Sequence, residues 1–523
     1  MNPMKRMALA GGTGLLALAL AVGAPAAEGG GEVDLSLQDA LKSALQKNFD
    51  VQVQRTVLQE AHAALKGAYG IYDTQLQFTW YNEIDRQPAT SILQAGVKTS
   101  LYMYRTDDYN LGLTQYTPWG ESFQFTWDNM KNGTNSAYFL INPNYTSYGL
   151  LGTTLPLLQG FGKQVANRPV LKAKLDTSIA NAKYLQNLRD TLLEVESDYW
   201  YLVYAIKDLE VKEKALDLAK RFQDETRKKI EVGVLAPIEQ VSADAQVALR
   251  EQDIIVAEQS VGDREDILKL SLGIPKGDPE WGVTIRPTDE PVPSATSHTE
   301  EELIKSALDR RPELKQVELQ LEKDKVDVHW AKNQTLPQLN LTASLTYSGA
   351  GGLFINPVTG QVEQDNAFSA AWSQITNLDY KTYYVGLTFK YPLQDRASKA
   401  QFQSLRLAQT ADEISFKRLQ LSVMNEVRSA LRNLEAAQKR VAAAKVTLEL
   451  QKEKLDAEQK KYDNGLSTAF NVLSYQNDLL SSASALLNAV VTAQVAGSQL
   501  DRAVGTYLET HGVSLEDAQG HAL

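Results

Sequence analysis

Two long segments of the chain carry an apolar residue at every seventh position. The first series consists of Leu188, Val195, Leu202, Leu209, Leu216 and Ile230, interrupted once by the polar Gln223. The second consists of Val427, Leu434, Val441, Leu448, Leu455 and Tyr462. A sustained period of seven means 3.5 residues per turn, which predicts long helices that supercoil against neighbouring helices. Helices of about 65 residues would be roughly 100 Å long, too long for one globular domain to surround.

Other segments alternate between apolar and polar residues, which is typical of strands with one face in an apolar environment. In the second half the alternation covers residues 338–347 and 383–391, and in the first half it is clearest over residues 75–80. Fourteen of the 22 tyrosines lie in residues 72–148 and 338–391, a concentration that aromatic girdles at lipid interfaces would explain. The pattern therefore favours strands of a membrane barrel over one face of a soluble β-sandwich.

The same order of elements occurs twice along the chain. Lys42-Ser43-Ala44-Leu45 reappears as Lys305-Ser306-Ala307-Leu308, and the two heptad series are in register at an offset of 232 residues. Each copy contains a helix, strands, a long helix, a glycine turn and a second helix, with the turn glycines at Gly233 and Gly465. Such self-similarity predicts two tandem repeats.

The positions of charged residues, prolines and glycines divide the chain into five parts. Lys5 and Arg6, an apolar run and Ala24-Pro25-Ala26 predict a secretory signal peptide over residues 1–27. The first repeat follows at 28–274, with strands at about 74–156 and long helices at about 168–272. A proline-rich linker is expected at 275–298. The second repeat is expected at 299–509, with strands at about 338–392 and long helices at about 396–508, before a tail at 510–523.

Two strands per repeat would give about four barrel strands per chain, which are too few to close. Open sheet edges are not viable in lipid, so several chains must contribute to one barrel. Three chains would give twelve strands, a size that leaves a lumen. No apolar stretch of about 20 residues follows the signal peptide, and we therefore expect no transmembrane helix.

Composition argues against an enzyme and against a nucleic-acid partner. The net charge is −11, which disfavours binding to nucleic acid. The chain has no cysteine, and its five histidines show no metal-binding spacing, so we expect no metal site, no cofactor and no disulfide. Gly160-Phe161-Gly162-Lys163 lacks the first glycine and the final Ser or Thr of a phosphate loop, so we interpret it as a turn at the end of a strand.

These features together resemble the TolC family of outer-membrane factors, over about residues 35–508. The motifs that carry the resemblance are Pro156 before Gly160-Phe161-Gly162, Pro392 in the second repeat, and Tyr462-Asp463-Asn464-Gly465 before Asn471-Val472-Leu473. The resemblance implies a homotrimer, with a twelve-strand outer-membrane barrel continuous with a twelve-helix periplasmic coiled-coil tunnel. It also implies an exit duct for efflux or type I secretion, whose partners are a periplasmic adaptor (membrane fusion protein), an inner-membrane transporter and outer-membrane lipid.

In this family the helical tips near the two turn glycines close the duct at rest. Alignment from those glycines places the gate positions at Tyr462, Glu239, Asn471 and Ser474. Asn471 and Ser474 are neutral where well-known members carry carboxylates, which puts a double acidic ring in doubt. Glu239, repeated three times in a trimer, would still form a ring that could bind cations, although it also suits the first turn of a helix.

One segment of the strand regions departs from the family pattern. Residues 109–116 and 122–127 flank a turn at Thr117-Pro118-Trp119-Gly120 and form an additional predicted hairpin. This hairpin could extend an extracellular loop, cap the pore or widen the barrel. Residues 348–381 are interpreted as a long extracellular loop.

Two other functions remain open on the sequence. A periplasmic coiled-coil structural or adaptor protein would account for the heptads but not for the aromatic, alternating strands. A passive porin would account for the strands but not for the long helices.

Overall fold

The computed structural model describes residues 31–91, 101–136, 138–292, 298–356, 358–359, 361–366 and 368–513. The predicted signal peptide and the tail from residue 514 onward lie outside the described residues. Within them, the chain forms a helical body that is joined at one end to a large antiparallel sheet.

The first repeat contains one short strand, three shorter helices, four long strands and a long helical hairpin. Its elements are β1 (Glu32–Leu35), α1 (Leu37–Lys47), α2 (Phe49–Ala68), β2 (Gln75–Pro88), β3 (Leu101–Tyr116), β4 (Ser122–Thr134), β5 (Ile141–Pro156), α3 (Lys163–Ala166), α4 (Arg168–Glu231) and α5 (Ile238–Ser271). Ser36 and Asn48 begin α1 and α2, because their side chains accept hydrogen bonds from backbone N–H groups of the first turn.

The second repeat has counterparts of α1, α2, α4 and α5 but fewer strands. Its elements are α6 (Glu300–Arg310), α7 (Pro312–Gln334), β7 (Gln338–Ile355), β8 (Val362–Asn366), α8 (Phe368–Thr376), β9 (Tyr380–Lys390), α9 (Arg396–Asp463), α10 (Ala469–Val504) and α11 (Tyr507–Thr510), with β6 (Thr284–Pro287) preceding them. Thr299 and Glu302 form a reciprocal capping box at the start of α6.

The segment predicted as a linker is fastened to the first repeat. β6 pairs in parallel with β1, in register from Glu32 with Thr284 to Leu35 with Pro287. Just beyond it, the Asp289 carboxylate accepts hydrogen bonds from the Leu37 N–H at 2.7 Å and from the Tyr199 hydroxyl at 2.8 Å. Residues 284–289, in the segment between the repeats, therefore pack against β1 and α4 of the first repeat.

The heptad residues supply the core of the helical body. Leu188, Val195 and Leu202 are buried in a cluster with α1 and α2, and Val427 and Leu434 are buried in a second cluster with α6 and α10. Farther along α4 and α9, most heptad positions are half-buried, and Tyr462 at the end of α9 is buried again.

A buried carboxylate ties the C-terminal residues to the core. Glu196 is fully buried and accepts hydrogen bonds from Ser498 at 2.6 Å and from Tyr507 at 2.8 Å. His511 lies 3.2 Å from the same carboxylate. Burial opposes ionisation of Glu196, but His511, Ser498 and Tyr507 outweigh it and lower the pKa of Glu196. Burial also opposes protonation of His511, but Glu196 outweighs it and raises the pKa of His511.

Among the described helices, Ala469–Val504 is long and apolar enough to cross a membrane by length and composition. On composition, the expectation that no such helix follows the signal peptide was therefore wrong. The helix packs against α9 and α4, where Val491, Val495 and Leu500 are buried in the core clusters. This packing buries 33% of the most apolar window of the helix.

The sheet is larger than expected, because the first repeat contributes four long strands. The long strands follow the order β2-β3-β4-β5-β7-β9, and β8 pairs with the far end of β7. The four expected strands correspond to β2, β5, β7 and β9, and the additional predicted hairpin corresponds to β3 and β4, so the described residues contain six long strands. Asp107 and Asp108 in β3 and Asp128 and Asn129 in β4 interrupt the alternation, so the sequence pattern covered only residues 109–116 and 122–127 of these two strands.

Residues 348–381 are also more structured than the predicted loop. β7 continues to Ile355, and β8 and α8 occupy much of the remainder. α8 has an apolar face that packs on β5 and β7, so this segment adds a covering layer to one face of the sheet.

Candidate functional site

One face of the sheet is apolar across all six long strands. Directly paired residues of an antiparallel sheet point to the same face. One continuous row in this register comprises Leu76, Leu113, Phe125, Leu151, Leu345 and Tyr383. The next row on the opposite face comprises Gln77, Gly112, Thr126, Leu150, Thr346 and Thr382. The sheet therefore has one apolar face and one face of mostly small, polar residues, as a membrane barrel requires.

The two edge strands leave large apolar side chains exposed. On β2, Leu76 and Phe78 are 68% and 67% exposed, and on β9, Val385 and Phe389 are 75% and 65% exposed. A water-soluble monomer does not normally expose a contiguous apolar surface of this kind. Lipid on the apolar face and further strands at the edges would cover these side chains.

α8 covers the apolar face at the end that is farther from the helices. Its Trp372 ring lies 4.8 Å from that of Trp127, and its Phe368 ring lies 6.2 Å from that of Tyr145. The approach requires Gly349, because a Cβ atom there would lie 1.9 Å from the Ala371 carbonyl oxygen. Sequence reasoning missed this contact, since a glycine within a strand does not reveal what approaches it.

The two helical hairpins turn at the predicted glycines. Gly233 and Gly465 have φ angles of 77° and 73°, in the left-handed region that favours glycine. The residues that follow the two glycines are Val234 and Leu466. Their backbone N–H groups donate hydrogen bonds to the backbone carbonyls of Lys229 and Lys461, at 2.8 Å in each case. The same turn geometry therefore ends the long helix of both repeats.

Near these turns, the first repeat contacts the second through Lys229. Its Nζ lies 3.0 Å from the Asp463 carboxylate and 4.3 Å from the centroid of the Tyr462 ring. Tyr462 is 4% exposed and packs against Phe222, with ring centroids 5.4 Å apart. Of the predicted gate residues, Tyr462 thus joins the two hairpins, whereas Lys229 and Phe222 were missed because no local motif marks them.

A second polar group lies within the tip of the second repeat. The Glu458 carboxylate accepts from the Ser467 hydroxyl at 2.5 Å, and it pairs with Lys461 at 3.1 Å. Asn471 donates to the Ser467 hydroxyl at 3.3 Å, which connects this predicted gate residue to the group. The hydrogen bond from Ser467 and the pairing with Lys461 lower the pKa of Glu458, which keeps its charge near the turn.

The other two predicted gate positions remain near the surface of the single chain. Glu239 is half-buried in the first turn of α5, and the described residues provide no ion pair to its carboxylate. Ser474 is half-buried on α10, one turn beyond Asn471. The structure therefore places Tyr462 in an aromatic contact and Asn471 in a polar group within the chain, and leaves Glu239 and Ser474 half-buried at its surface.

Gly160-Phe161-Gly162 forms the turn after β5. Gly160 and Gly162 have φ angles of 86° and 102°, and α3 begins at Lys163. Across the described parts of the chain, no group of three or more His, Cys, Asp or Glu side chains could hold a metal ion.

Comparison with known proteins identifies similar channels. Residues 303–506 match the family model described as "Outer membrane efflux protein". Comparison with curated proteins finds no match. Because the family match covers the second repeat alone, the structural comparisons extend the similarity to the first.

Three solved structures illustrate this similarity of fold. The outer-membrane channel OprN has a TM-score of 0.64 and 17% identity, covering 90% of each chain. The Campylobacter jejuni channel CmeC has a TM-score of 0.59 and 14% identity, covering 90% of this chain and 86% of its own. The Neisseria gonorrhoeae channel MtrE, in its open state, has a TM-score of 0.59 and 16% identity, covering 90% and 89%. The comparisons confirm the resemblance to outer-membrane efflux channels.

Proposed function

We propose that this TolC-like chain, whose second repeat matches the outer membrane efflux protein family, forms the outer-membrane exit duct of a tripartite efflux pump. The observation that carries the proposal is the apolar row that crosses six strands of a sheet joined end-on to helices of 64 and 68 residues. Such helices are roughly 100 Å long. The sheet would lie in the outer membrane, and the helices would extend into the periplasm.

Three copies would surround the duct as a homotrimer. An apolar heptad on α9, formed by Leu407, Ile414 and Leu421, is 62–66% exposed in the single chain. Seven-residue spacing places these side chains on one stripe, which is the seam that a coiled-coil partner covers. A neighbouring copy would supply that partner and the strands that close the sheet. Four helical columns per chain would then give a tunnel of twelve.

The helical tips would close the periplasmic end of the duct. Tyr462, Glu239, Asn471 and Ser474 remain the proposed gate residues, with Gly233 and Gly465 at the turns. The contacts of Lys229 with Tyr462 and Asp463 support a closed arrangement, because separating the two hairpins would break both. An adaptor and an inner-membrane transporter would stabilise the open arrangement, and one-step protein secretion is compatible with the same architecture.

Membrane fractionation tests the proposed location. Cells that express the chain with its own leader should contain it in the outer-membrane fraction, and detergent should be needed to extract it. Recovery of the folded chain from the soluble periplasmic fraction would instead favour the coiled-coil structural or adaptor protein.

Conductance across a planar bilayer tests the proposed gate. Lys229→Met keeps the length of the side chain but removes the charge that pairs with Asp463. We expect the variant to be open more often than the unchanged protein, with Lys220→Met as a matched control, since Lys220 is 3.9 Å from its partner Glu251 and farther from the turn. If both variants and the unchanged protein had equal open probabilities, the contacts of Lys229 would not stabilise the closed arrangement, and this prediction would be contradicted.

A further inference from the structure

The hairpin of β3 and β4 is integrated into the sheet along its whole length. β3 pairs with β2 from Gln75 with Thr114 to Pro88 with Leu101, and β4 pairs with β5 from Ser122 with Thr154 to Asn132 with Asn144. β2 and β5 are consequently separated by two strands. A hairpin that formed an extracellular loop or a cap over the pore would not pair with the wall on both sides.

The turn of this hairpin is fixed at the end of the sheet nearest the helices. The Trp119 carbonyl accepts from the Gly162 N–H at 3.1 Å, and the Glu121 carboxylate accepts from the Thr153 hydroxyl at 2.9 Å. Gly120 has a φ of 94°, and a Cβ atom there would lie 2.6 Å from the Gly160 carbonyl oxygen. The hairpin therefore runs from the helical end of the sheet outward, like the strands on either side.

Both faces of the hairpin continue the pattern of the surrounding wall. Leu113 and Phe125 occupy the apolar row between Leu76 and Leu151. On the other face, Gly112 and Thr126 continue the row that begins at Gln77. An apolar side chain on one face and a small one on the other is what lipid and an aqueous lumen require of a barrel strand.

The number and direction of the strands permit closure by further copies of this chain. Successive long strands are antiparallel, so β2 and β9 at the two edges run in opposite directions. β9 of one copy can then pair with β2 of the next, and every junction stays antiparallel. In lipid, both edges need such a partner.

We infer that the β3–β4 hairpin is part of the barrel wall, so that three copies close a barrel of eighteen strands. This inference rests on the proposed trimeric duct. Because barrel diameter grows roughly linearly with strand number, the mouth would be about one and a half times as wide as that of a twelve-strand barrel. Eighteen strands leave a wide aqueous channel, so the barrel would admit solutes that are bulkier than a twelve-strand mouth admits.

Thiol labelling in lipid nanodiscs tests where the hairpin lies. The chain has no cysteine, so each introduced cysteine is the only target for a water-soluble maleimide. Thr126→Cys should react and Phe125→Cys should be protected by lipid. On β2, Gln77→Cys and Leu76→Cys are the matched controls, with the same expected difference.

The labelling outcomes separate the inference from the proposed function. If Phe125→Cys reacts as readily as Thr126→Cys while Leu76→Cys stays protected, the hairpin lies outside the wall and the inference is overturned. If Leu76→Cys also reacts fully, the apolar face does not meet lipid, and the proposed function fails with it.

Removal of the hairpin tests the width directly. Deletion of residues 101–134 leaves an even number of long strands and lets the chain return from β2 to β5. Electron microscopy of threefold particles should show eighteen strands in the unchanged protein and a narrower barrel in the deletion variant. Twelve strands in the unchanged threefold particle would overturn the inference but keep the duct. If the deletion variant does not assemble, the number of strands in the unchanged particle still decides whether the hairpin is part of the barrel wall.

Discussion

The two repeats of the chain agree in their helices and differ in their strands. α4 and α9 contain 64 and 68 residues, and α5 and α10 contain 34 and 36. The strand region of the first repeat has four long strands, whereas that of the second has two, a short strand and α8. Helices that lie side by side in one tubular wall must match in length and register. A sheet can instead be extended by a hairpin, because an inserted pair of strands preserves the direction of all the others.

A second difference between the repeats concerns the N-terminal half of each long helix. Leu407, Ile414 and Leu421 of α9 are exposed, whereas the equivalent α4 residues at the offset of 232 are Leu175, Ala182 and Arg189, which are half-buried or buried. Arg189 pairs with Glu313 at 3.4 Å, so this side of α4 faces the second repeat of its own chain. The first repeat thus packs this stripe within the chain, whereas the second leaves it exposed, as the proposed trimer requires.

Charges on the exposed α9 stripe should break assembly but not the fold. Leu407→Asp with Ile414→Asp removes apolar burial of about 1.5–3 kcal/mol for each side chain in a trimer. We expect monomers with unchanged helical circular dichroism, measured together with particle mass in detergent. The matched change at Leu175 and Ala182 should unfold the chain instead. Intact trimers from the α9 variant would show that the stripe is not an interface.

The buried cores of the two repeats should respond equally to truncation. Leu202 and Leu434 are separated by the offset of 232 and are 0% and 1% exposed. Leu202→Ala and Leu434→Ala should each lower the free energy of unfolding by about 2–5 kcal/mol. Urea unfolding followed by circular dichroism measures both. A loss confined to one variant would contradict equivalent packing in the two repeats.

The ion pair between Glu196 and His511 should make stability depend on pH. The raised pKa of His511 stabilises the fold below its ordinary value of 6.5, and this contribution is lost as the pH rises through the raised value. The lowered pKa of Glu196 stabilises the fold above 4.5, and this contribution is lost as the pH falls through the lowered value.

Stability should therefore decline as the pH rises above 6.5 and through the raised pKa of His511, by about 1.5–3 kcal/mol, the contribution of a hydrogen bond to a charged group. His511→Asn should remove most of that decline in thermal unfolding scans, whereas the exposed His298→Asn should leave it unchanged. An identical decline in the His511 variant would assign the pH dependence to other groups.

The turn glycines should show the smallest effect. Gly233→Ala and Gly465→Ala place a side chain in the left-handed region at a cost of about 1–2 kcal/mol each, and no neighbouring atom obstructs the new Cβ. Both variants should exchange amide hydrogens faster at the tips, with little change in the core. Faster exchange that spreads to α1 and α2 would contradict a local effect.

The sequence predicted the helical half of the fold more completely than the strand half. Period seven is a strong signal over many turns, and Gly233 and Gly465 mark the turns by their backbone requirement. The parts of β3 and β4 that lie farther from the helices were not predicted as strands. Asp107, Asp108 and Asn129 interrupt the alternation of apolar and polar residues there. Of the tip contacts, Tyr462 could be placed by motif. Lys229 could not, because a lysine on a long helix is usually solvated and its pairing with Asp463 depends on how the two repeats pack.

The most direct measurement is electron microscopy of the mature chain extracted in detergent. We expect a threefold tube well over 100 Å long, since helices of this length rise roughly 100 Å before the sheet begins. Strand density should close into a barrel at one end of that tube. A compact particle, or a rod without a closed barrel, would contradict an outer-membrane duct and leave the coiled-coil scaffold as the better explanation.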